Sequence, residues 1–272
     1  MLETDPFFIP GGPVGCLLIH GLSGNPADLR PLADELAARG YTVSVPLLPG
    51  HGPTPEGTGP ATARDWMRAV ADAHDALAAT CEQVVLVGHS MGGLLSILDA
   101  TRREPAALVL LGVPTFIGDW RTRLLPFAKY VVRWWYPLAQ ADFGDPAVRE
   151  RMKEQSSTID LDDPLVQQHI RRSVRIPTAA IDQFFRLIRR VRPLIRMIAV
   201  PTLIVHGRQD STALPVCAEE IYRELASPRK ELVWLASAGH QLVTGAAGAA
   251  AVERIVVWLA EVVGEPSLVA GK

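Results

Sequence analysis

A mostly parallel β-sheet with helices on both faces is the fold class this sequence predicts, and three observations carry that expectation. Short apolar runs alternate with segments of helical period from residue 14 to residue 111, the order expected of βαβ units with right-handed crossovers. The alternation breaks between about residues 115 and 199 and resumes at Thr202. The third observation is local: the run Gln83-Val84-Val85-Leu86-Val87 ends in Gly88-His89-Ser90-Met91-Gly92, and a helix-like segment follows at once.

Val14-Gly15-Cys16-Leu17-Leu18-Ile19 is continuous and apolar, as a strand buried on both faces should be. It ends in the turn His20-Gly21-Leu22-Ser23-Gly24. Leu29, Leu32, Ala33 and Leu36 then recur at helical spacing from Asp28 to Arg39, and Gly40 stands where a helix-ending glycine belongs. Tyr41 to Val45 reads as the second strand, followed by a Pro- and Gly-rich loop from Pro46 to Pro60. Thr62 opens a helix with Trp66, Val70, Ala73 and Leu77 on one side. Val84 to Val87 is the third strand, Met91 to Arg103 the helix behind Ser90, and Ala107 to Leu111 the fourth strand. Thr202 to His206 and Glu231 to Leu235 give two further strands, with helices over Pro215 to Leu225 and Ala249 to Val262.

Between the fourth and fifth strands the chain turns aromatic and helical in pattern. Phe116, Trp120, Phe127, Tyr130, Trp134, Trp135, Tyr136, Phe143, Phe184 and Phe185 fall there, with acidic residues early and arginines late. An insertion at this point sits over the carboxyl edge of a parallel sheet, where open α/β sheets bind ligands. The expected organisation is therefore a core of residues 1–114 and 200–272 carrying a helical cap of residues 115–199. Most of the aromatics suit packing of the cap on the sheet; Trp134, Trp135, Tyr136, Phe184 and Phe185 also suit an apolar acyl pocket. Leu124 to Leu138 is amphipathic, which allows weak contact with a membrane surface.

Composition narrows the function classes. With 272 residues, 48% of them hydrophobic and 21% charged, the chain can bury a large core. A net charge of −2 argues against bulk attraction to nucleic acid or anionic membrane. No apolar stretch reaches the roughly 18 to 20 residues that span a bilayer. Met1 to Pro13 lacks the basic and apolar parts of a signal peptide. Three scattered cysteines, Cys16, Cys81 and Cys217, show no metal-like spacing and suit a reducing compartment, so a cytoplasmic protein is expected.

A glycine-flanked serine between strand and helix is a moderately specific pattern with a clear physical use. A sharp turn lifts the serine hydroxyl out of the sheet edge beside a helix amino terminus, whose N–H groups and dipole favour negative charge. Serine is a weak nucleophile and needs a base; histidine serves at neutral pH, held in one tautomer by a third group. Three strand-end loops offer these groups in the order Ser90, Asp210, His240. Asp119, after the fourth strand, is a second candidate for the acid. His20 and His51 read as turn-fixing residues, His89 as pointing into the sheet, His206 as a strand-end residue, and His74 and His169 as helix-surface residues. The Met91 and Leu22 N–H groups are the expected oxyanion donors. No cofactor or metal is required by this chemistry.

At these residues the chain resembles the α/β-hydrolases of the bacterial carboxylesterase and monoacylglycerol lipase type. Matching pieces are Pro6-Phe7-Phe8 with Gly11-Gly12, His20-Gly21-Leu22-Ser23-Gly24-Asn25-Pro26, Leu48-Pro49-Gly50-His51-Gly52, Gly88-His89-Ser90-Met91-Gly92-Gly93, His206-Gly207-Arg208-Gln209-Asp210 and Ser237-Ala238-Gly239-His240. The resemblance implies an α/β-hydrolase fold, Ser90, Asp210 and His240 as a catalytic triad, and Leu22 and Met91 as the oxyanion hole. It does not extend closely through the cap. The expected activity is hydrolysis of small-molecule carboxylic esters, with short or medium acyl chains or monoacylglycerols. Thioester or C–C bond hydrolysis would use the same triad, and a non-catalytic ligand-binding member of the fold is the reading from another class.

Overall fold

The computed structural model describes residues 5–52, 61–117, 130–145, 148–149, 152, 159–244 and 247–266. Among the described residues seven strands form one sheet in the order β1-β3-β2-β4-β5-β8-β9. They are β1 (Phe7–Ile9), β2 (Val14–Ile19), β3 (Thr42–Val45), β4 (Gln83–His89), β5 (Ala107–Leu111), β8 (Thr202–Gly207) and β9 (Lys230–Leu235). All neighbours are parallel except β1, which runs antiparallel on β3 with Phe7 opposite Val45. This edge strand is the one core strand that periodicity did not reveal. At three residues, with Phe8 turned to solvent, it carries too little pattern to register.

The sheet forms because its strands alternate apolar side chains toward two helical layers. Leu17, Ile19, Leu86, Leu108, Leu110 and Ile204 join one buried cluster, with α2 (Ala63–Ala78) and α3 (Met91–Arg103). Cys16, Leu18, Val85, Val87, Val109, Leu111, Leu203 and Val205 join the other. That second face is covered by α1 (Arg30–Ala38) and α7 (Gly248–Val263), the helix that closes the chain. Burying both faces explains why these strands read as unbroken apolar runs rather than alternating ones. Helix starts follow local chemistry: Thr62 and Asp65 form a reciprocal capping box at the head of α2.

Between β5 and β8 the described residues contribute a small antiparallel pair, β6 (Trp134–Trp135) on β7 (Ile176–Pro177). They also contribute α4 (Pro164–Ser173) and α5 (Thr178–Val191). The insertion is not uniform. Phe143, Met152, Leu161 and Ile170 make a small cluster of their own. In α5 and the turn after it, Phe184, Leu187, Ile188, Val191 and Ile195 instead join the cluster of the sheet and α3. The second half of the insertion is thus welded to the core. Tyr130 to Leu138 holds no helix, only turns and the two residues of β6, so the amphipathic pattern read there is not a helix in its described part. Asp119, Trp120, Leu124, Phe127 and Lys129 lie outside the described residues. Trp135 and Tyr136 are exposed, while Trp134 packs under the guanidinium groups of Arg133 and Arg175, so these three do not line an apolar pocket together.

One carboxylate ties the two ends of the insertion. Glu220, on α6 (Val216–Glu224), accepts the Thr115 hydroxyl at 2.5 Å on one oxygen. Its other oxygen accepts Arg192 Nε at 2.7 Å and Nη2 at 2.5 Å. Burial alone would raise the Glu220 carboxyl, but the Thr115 and Arg192 hydrogen bonds and the nearby arginine charges hold it below the usual range. Glu220→Ala should lower stability by on the order of 2 kcal/mol, because it leaves the buried Thr115 hydroxyl without this acceptor. Urea midpoints followed by circular dichroism check this; an unchanged midpoint would show that the clamp contributes nothing.

Candidate active site

Parallel pairing aligns the carboxyl ends of the central strands. Ile19 pairs with Gly88, His89 with Leu111, Leu111 with Val205, and Gly207 with Leu235. The loops carrying Leu22, Ser90, Asp210 and His240 therefore leave the sheet from one edge.

Ser90 has φ 54° and ψ −116°, a region side-chain-bearing residues seldom adopt. Such a conformation costs on the order of 1–3 kcal/mol and persists only where neighbours hold it. Here the Ser90 N–H donates to Leu111 O at 2.8 Å, and the Gly93 N–H donates to Ser90 O at 3.0 Å. The flanking glycines are steric necessities. A Cβ on Gly92 would sit 2.0 Å from Ile19 O, and one on Gly88 would sit 2.5 Å from the Gly92 backbone. The first turn of α3 thus lies against the end of β2, which puts Ser90 Cβ 3.4 Å from the place a Gly21 side chain would start.

The acid and the base meet directly. His240 Nδ1 lies 2.7 Å from Asp210 Oδ2, and the Asp210 carboxylate is fully buried. Its other oxygen accepts the Thr212 and Ala213 N–H groups, each at 2.8 Å. Burial pushes the Asp210 carboxyl up, yet the His240 hydrogen bond, the His240 charge and these two backbone donors outweigh it and hold the group below the usual range. Asp210 is therefore a carboxylate at neutral pH, and it fixes the His240 proton on Nδ1 with Nε2 free to accept another. The two loops are bonded to each other through Gln209 N–H to Ala238 O at 3.0 Å. Gly112, at φ 55°, sits beside both: a Cβ there would lie 3.4 Å from Asp210 Oδ2 and from His240 Nδ1. That glycine carries no motif, and only its place directly after β5 could have marked it.

His89 is the last residue of β4 and is buried, as the reading that it points into the sheet expects. Its Nε2 donates to His240 O at 2.9 Å, and the two rings stand 4.9 Å apart. His74 corrects the helix-surface reading, since it is buried between α2 and α3 with Nδ1 2.6 Å from Asp99 Oδ2. His206 is buried with Nε2 2.8 Å from Ala213 O, closing the Asp210 loop. His169 is exposed, as a helix-surface residue should be.

A cavity of about 290 Å³ opens beside the 20–25 loop, and none of Ser90, Asp210 and His240 lines it. Leu22 to Asn25 and Pro49 to Gly52 form its floor, with Trp66, and residues 173–177 of the insertion form its roof. Its described lining is largely apolar and backbone, with one guanidinium, Arg175, and no Asp or Glu. Among the described residues no group of three or more His, Cys, Asp or Glu side chains is arranged to hold a metal ion. Nor is any described helix long and apolar enough to cross a membrane.

Comparison with known proteins supplies relatives for this arrangement. The model of the family described as serine aminopeptidase, S33 matches residues 15–245. The thermostable monoacylglycerol lipase of Bacillus sp. (strain H-257) is 29% identical over 242 residues, covering 87% of this chain and 86% of the lipase. The carboxylesterase of Bacillus subtilis (strain 168) is 29% identical over 244 residues, 88% of this chain and 89% of the esterase. A solved structure from work on LipS and LipT, two metagenome-derived lipolytic enzymes, superposes with a TM-score of 0.80 at 24% identity. It covers 96% of this chain and 99% of that one. The fold is that of the α/β-hydrolases.

Burial also sets how stability depends on pH. It pushes the His20 imidazole down to about 3, helped by His51, and the His89 imidazole down to about 4, helped by His240. Both values lie below that of an unfolded histidine, so the unfolded chain binds more protons in the interval between. Stability therefore falls as pH drops from about 6.5 toward 4, by roughly 1.4 kcal/mol per pH unit for each histidine at the steepest. Urea midpoints at pH 7, 6 and 5 check this. A flat series would mean that these rings are charged in the folded protein.

Proposed function

The chain belongs to the serine aminopeptidase S33 family, and from that premise we propose that it is a serine hydrolase of carboxylic esters. Ser90 attacks the ester carbonyl while His240 Nε2 takes the hydroxyl proton. Asp210 holds His240 and stabilises the imidazolium that forms. The Leu22 and Met91 N–H groups receive the oxyanion. His240 then returns the proton to the departing alcohol, and water, activated the same way, releases the acid from Ser90. The observation that carries the reading is the 2.7 Å His240–Asp210 contact on the sheet edge where Ser90 holds its φ of 54°.

Ester rather than amino-terminal peptide hydrolysis is supported by two observations. An aminopeptidase must accommodate a free ammonium group, which calls for a carboxylate in its binding pocket. The described lining of the cavity beside the oxyanion loop instead carries Arg175 and no acidic side chain. The two curated relatives are named as a lipase of monoacylglycerols and a carboxylesterase. We assign this protein the same substrate class, short- to medium-chain acyl esters or monoacylglycerols, with residues 115–199 as the cap over the acyl site. Three free, buried cysteines support a cytoplasmic setting.

Ser90→Ala should abolish hydrolysis of p-nitrophenyl esters and labelling by a fluorophosphonate probe, leaving the circular dichroism spectrum intact. Asp210→Asn should lower kcat by about 10⁴, the effect of an imidazole held in the wrong tautomer. Steady-state rates over a series of acyl lengths, run beside an aminoacyl anilide, decide the substrate class. Full ester turnover by the Ser90 variant, or a preference for the anilide, would overturn the reading.

A further inference from the structure

Two buried imidazoles bracket the backbone of Leu22, one on each side of its α-carbon. His20 Nε2 accepts the Leu48 N–H at 3.1 Å, so its proton must reside on Nδ1, which donates to Gly21 O at 2.9 Å. His51 Nε2 lies 2.6 Å from Leu22 O and Nδ1 3.2 Å from Pro49 O, which already accepts the Trp66 Nε1–H, so the shorter Leu22 contact takes the ring proton. The peptide joining Gly21 to Leu22 is thus held by its oxygen from His20, and the peptide joining Leu22 to Ser23 from His51. Burial keeps His20 neutral and lowers His51, so each ring presents a fixed donor at neutral pH.

Planarity turns this into control of an N–H. In a trans peptide the N–H points opposite to the C=O. Gly21 O faces His20 Nδ1 and also accepts the Gly24 N–H at 3.2 Å, so the Leu22 N–H faces away from that cluster. Gly21 lies beside Ser90: a Cβ built on it would stand 3.4 Å from Ser90 Cβ, an ordinary contact. The two rings support each other, edge to face at 4.9 Å, and His51 packs on Trp66 at 6.0 Å. Trp66 Nε1–H donates to Pro49 O at 2.9 Å and fixes the loop that carries His51. Downstream, Asn25 and Asp28 close a reciprocal capping box, so the 20–25 loop is held at both ends.

We propose that His51, together with His20, is a positioning residue of the oxyanion hole, holding the two peptide planes around Leu22 so that its N–H is aimed before substrate arrives. The inference rests on the ester-hydrolase reading above. Neither ring touches the reacting atoms. Their part is to keep a donor preorganised, the property that makes an oxyanion hole effective.

The test uses four variants of the full chain. His51→Phe keeps the ring packing and removes the donor. His51→Gln keeps an N–H at the reach of Nε2, and His51→Asn keeps the amide but falls short of Leu22 O. Ser90→Ala is the control. Losing a whole oxyanion donor costs about 10²–10³ in kcat, so a misaimed one should cost about 10-fold or more in His51→Phe, with KM within about twofold. Affinity for a trifluoromethyl ketone, which becomes an oxyanion on Ser90, should fall by the same factor. His51→Gln should recover most of the lost kcat, and His51→Asn should not. If Ser90→Ala is inactive but His51→Phe turns over like the parent, or raises KM alone, the positioning role is wrong and the hydrolase reading stands. If His51→Phe does not fold, the Gln and Asn variants decide: equal kcat in the two overturns the proposal. If Ser90→Ala is as active as the parent, the hydrolase reading itself fails.

Discussion

The close approach of α3 to the end of β2 is the constraint on which the rest of the site depends. Because a Cβ on Gly92 would stand only 2.0 Å from Ile19 O, no side chain fits there, and the first turn of that helix is pressed against the strand that leads into the 20–25 loop. This contact brings two backbone regions from far apart in sequence to one place: the helix amino terminus at Met91 and the turn after Ile19. It also forces Ser90 into its unusual backbone conformation. The energy for that strain comes from the sheet, because the Ser90 amide is satisfied by Leu111 on the neighbouring strand. Fold and site are here one problem, since the packing that completes the core also shapes the elbow.

A second theme is the use of uncharged imidazoles as braces. His20, His51, His89 and His206 are buried, and each has a ring nitrogen within hydrogen-bonding distance of a carbonyl in a loop that carries a candidate catalytic group. Histidine suits this task because one nitrogen can donate while the other accepts, which His20 does between Gly21 and Leu48. Burial keeps the rings neutral at neutral pH. Depth alone thus makes several of the site's imidazoles uncharged braces.

Most of the core was legible in the sequence because its signals are long or chemically sharp. Strands buried on both faces are unbroken apolar runs; Ser90 and Asp210 each follow such a run within a few residues, and His240 follows the half-buried edge strand β9. The site residues that escaped notice act through geometry that periodicity does not encode. His89 was read as buried and is, but the carbonyl it braces, His240 O, belongs to a loop distant in sequence. His74 was read as surface because a polar residue on an amphipathic helix is ordinarily solvated; its partner Asp99 lies on another helix. The insertion was harder still. Its helical pattern is genuine in α5, but the apolar face of α5 belongs to the core, and no local signal tells which body a helix joins.

The clamp at Glu220 has a consequence for how such a chain diversifies. Thr115 and Arg192, near the departure and return of the insertion, meet on one carboxylate that belongs to neither end. Everything between them is, in polymer terms, a loop whose ends are already closed. The entropy of closing a loop rises only with the logarithm of its length, by about 0.6 kcal/mol per doubling. Lengthening or replacing the outer part of the segment therefore draws little on the stability of the sheet, as long as α5 keeps its apolar face. With residues 115–199 as the proposed cap over the acyl site, substrate range and fold stability would be set by different stretches of the same chain, so selection could alter one while leaving the other where it stands.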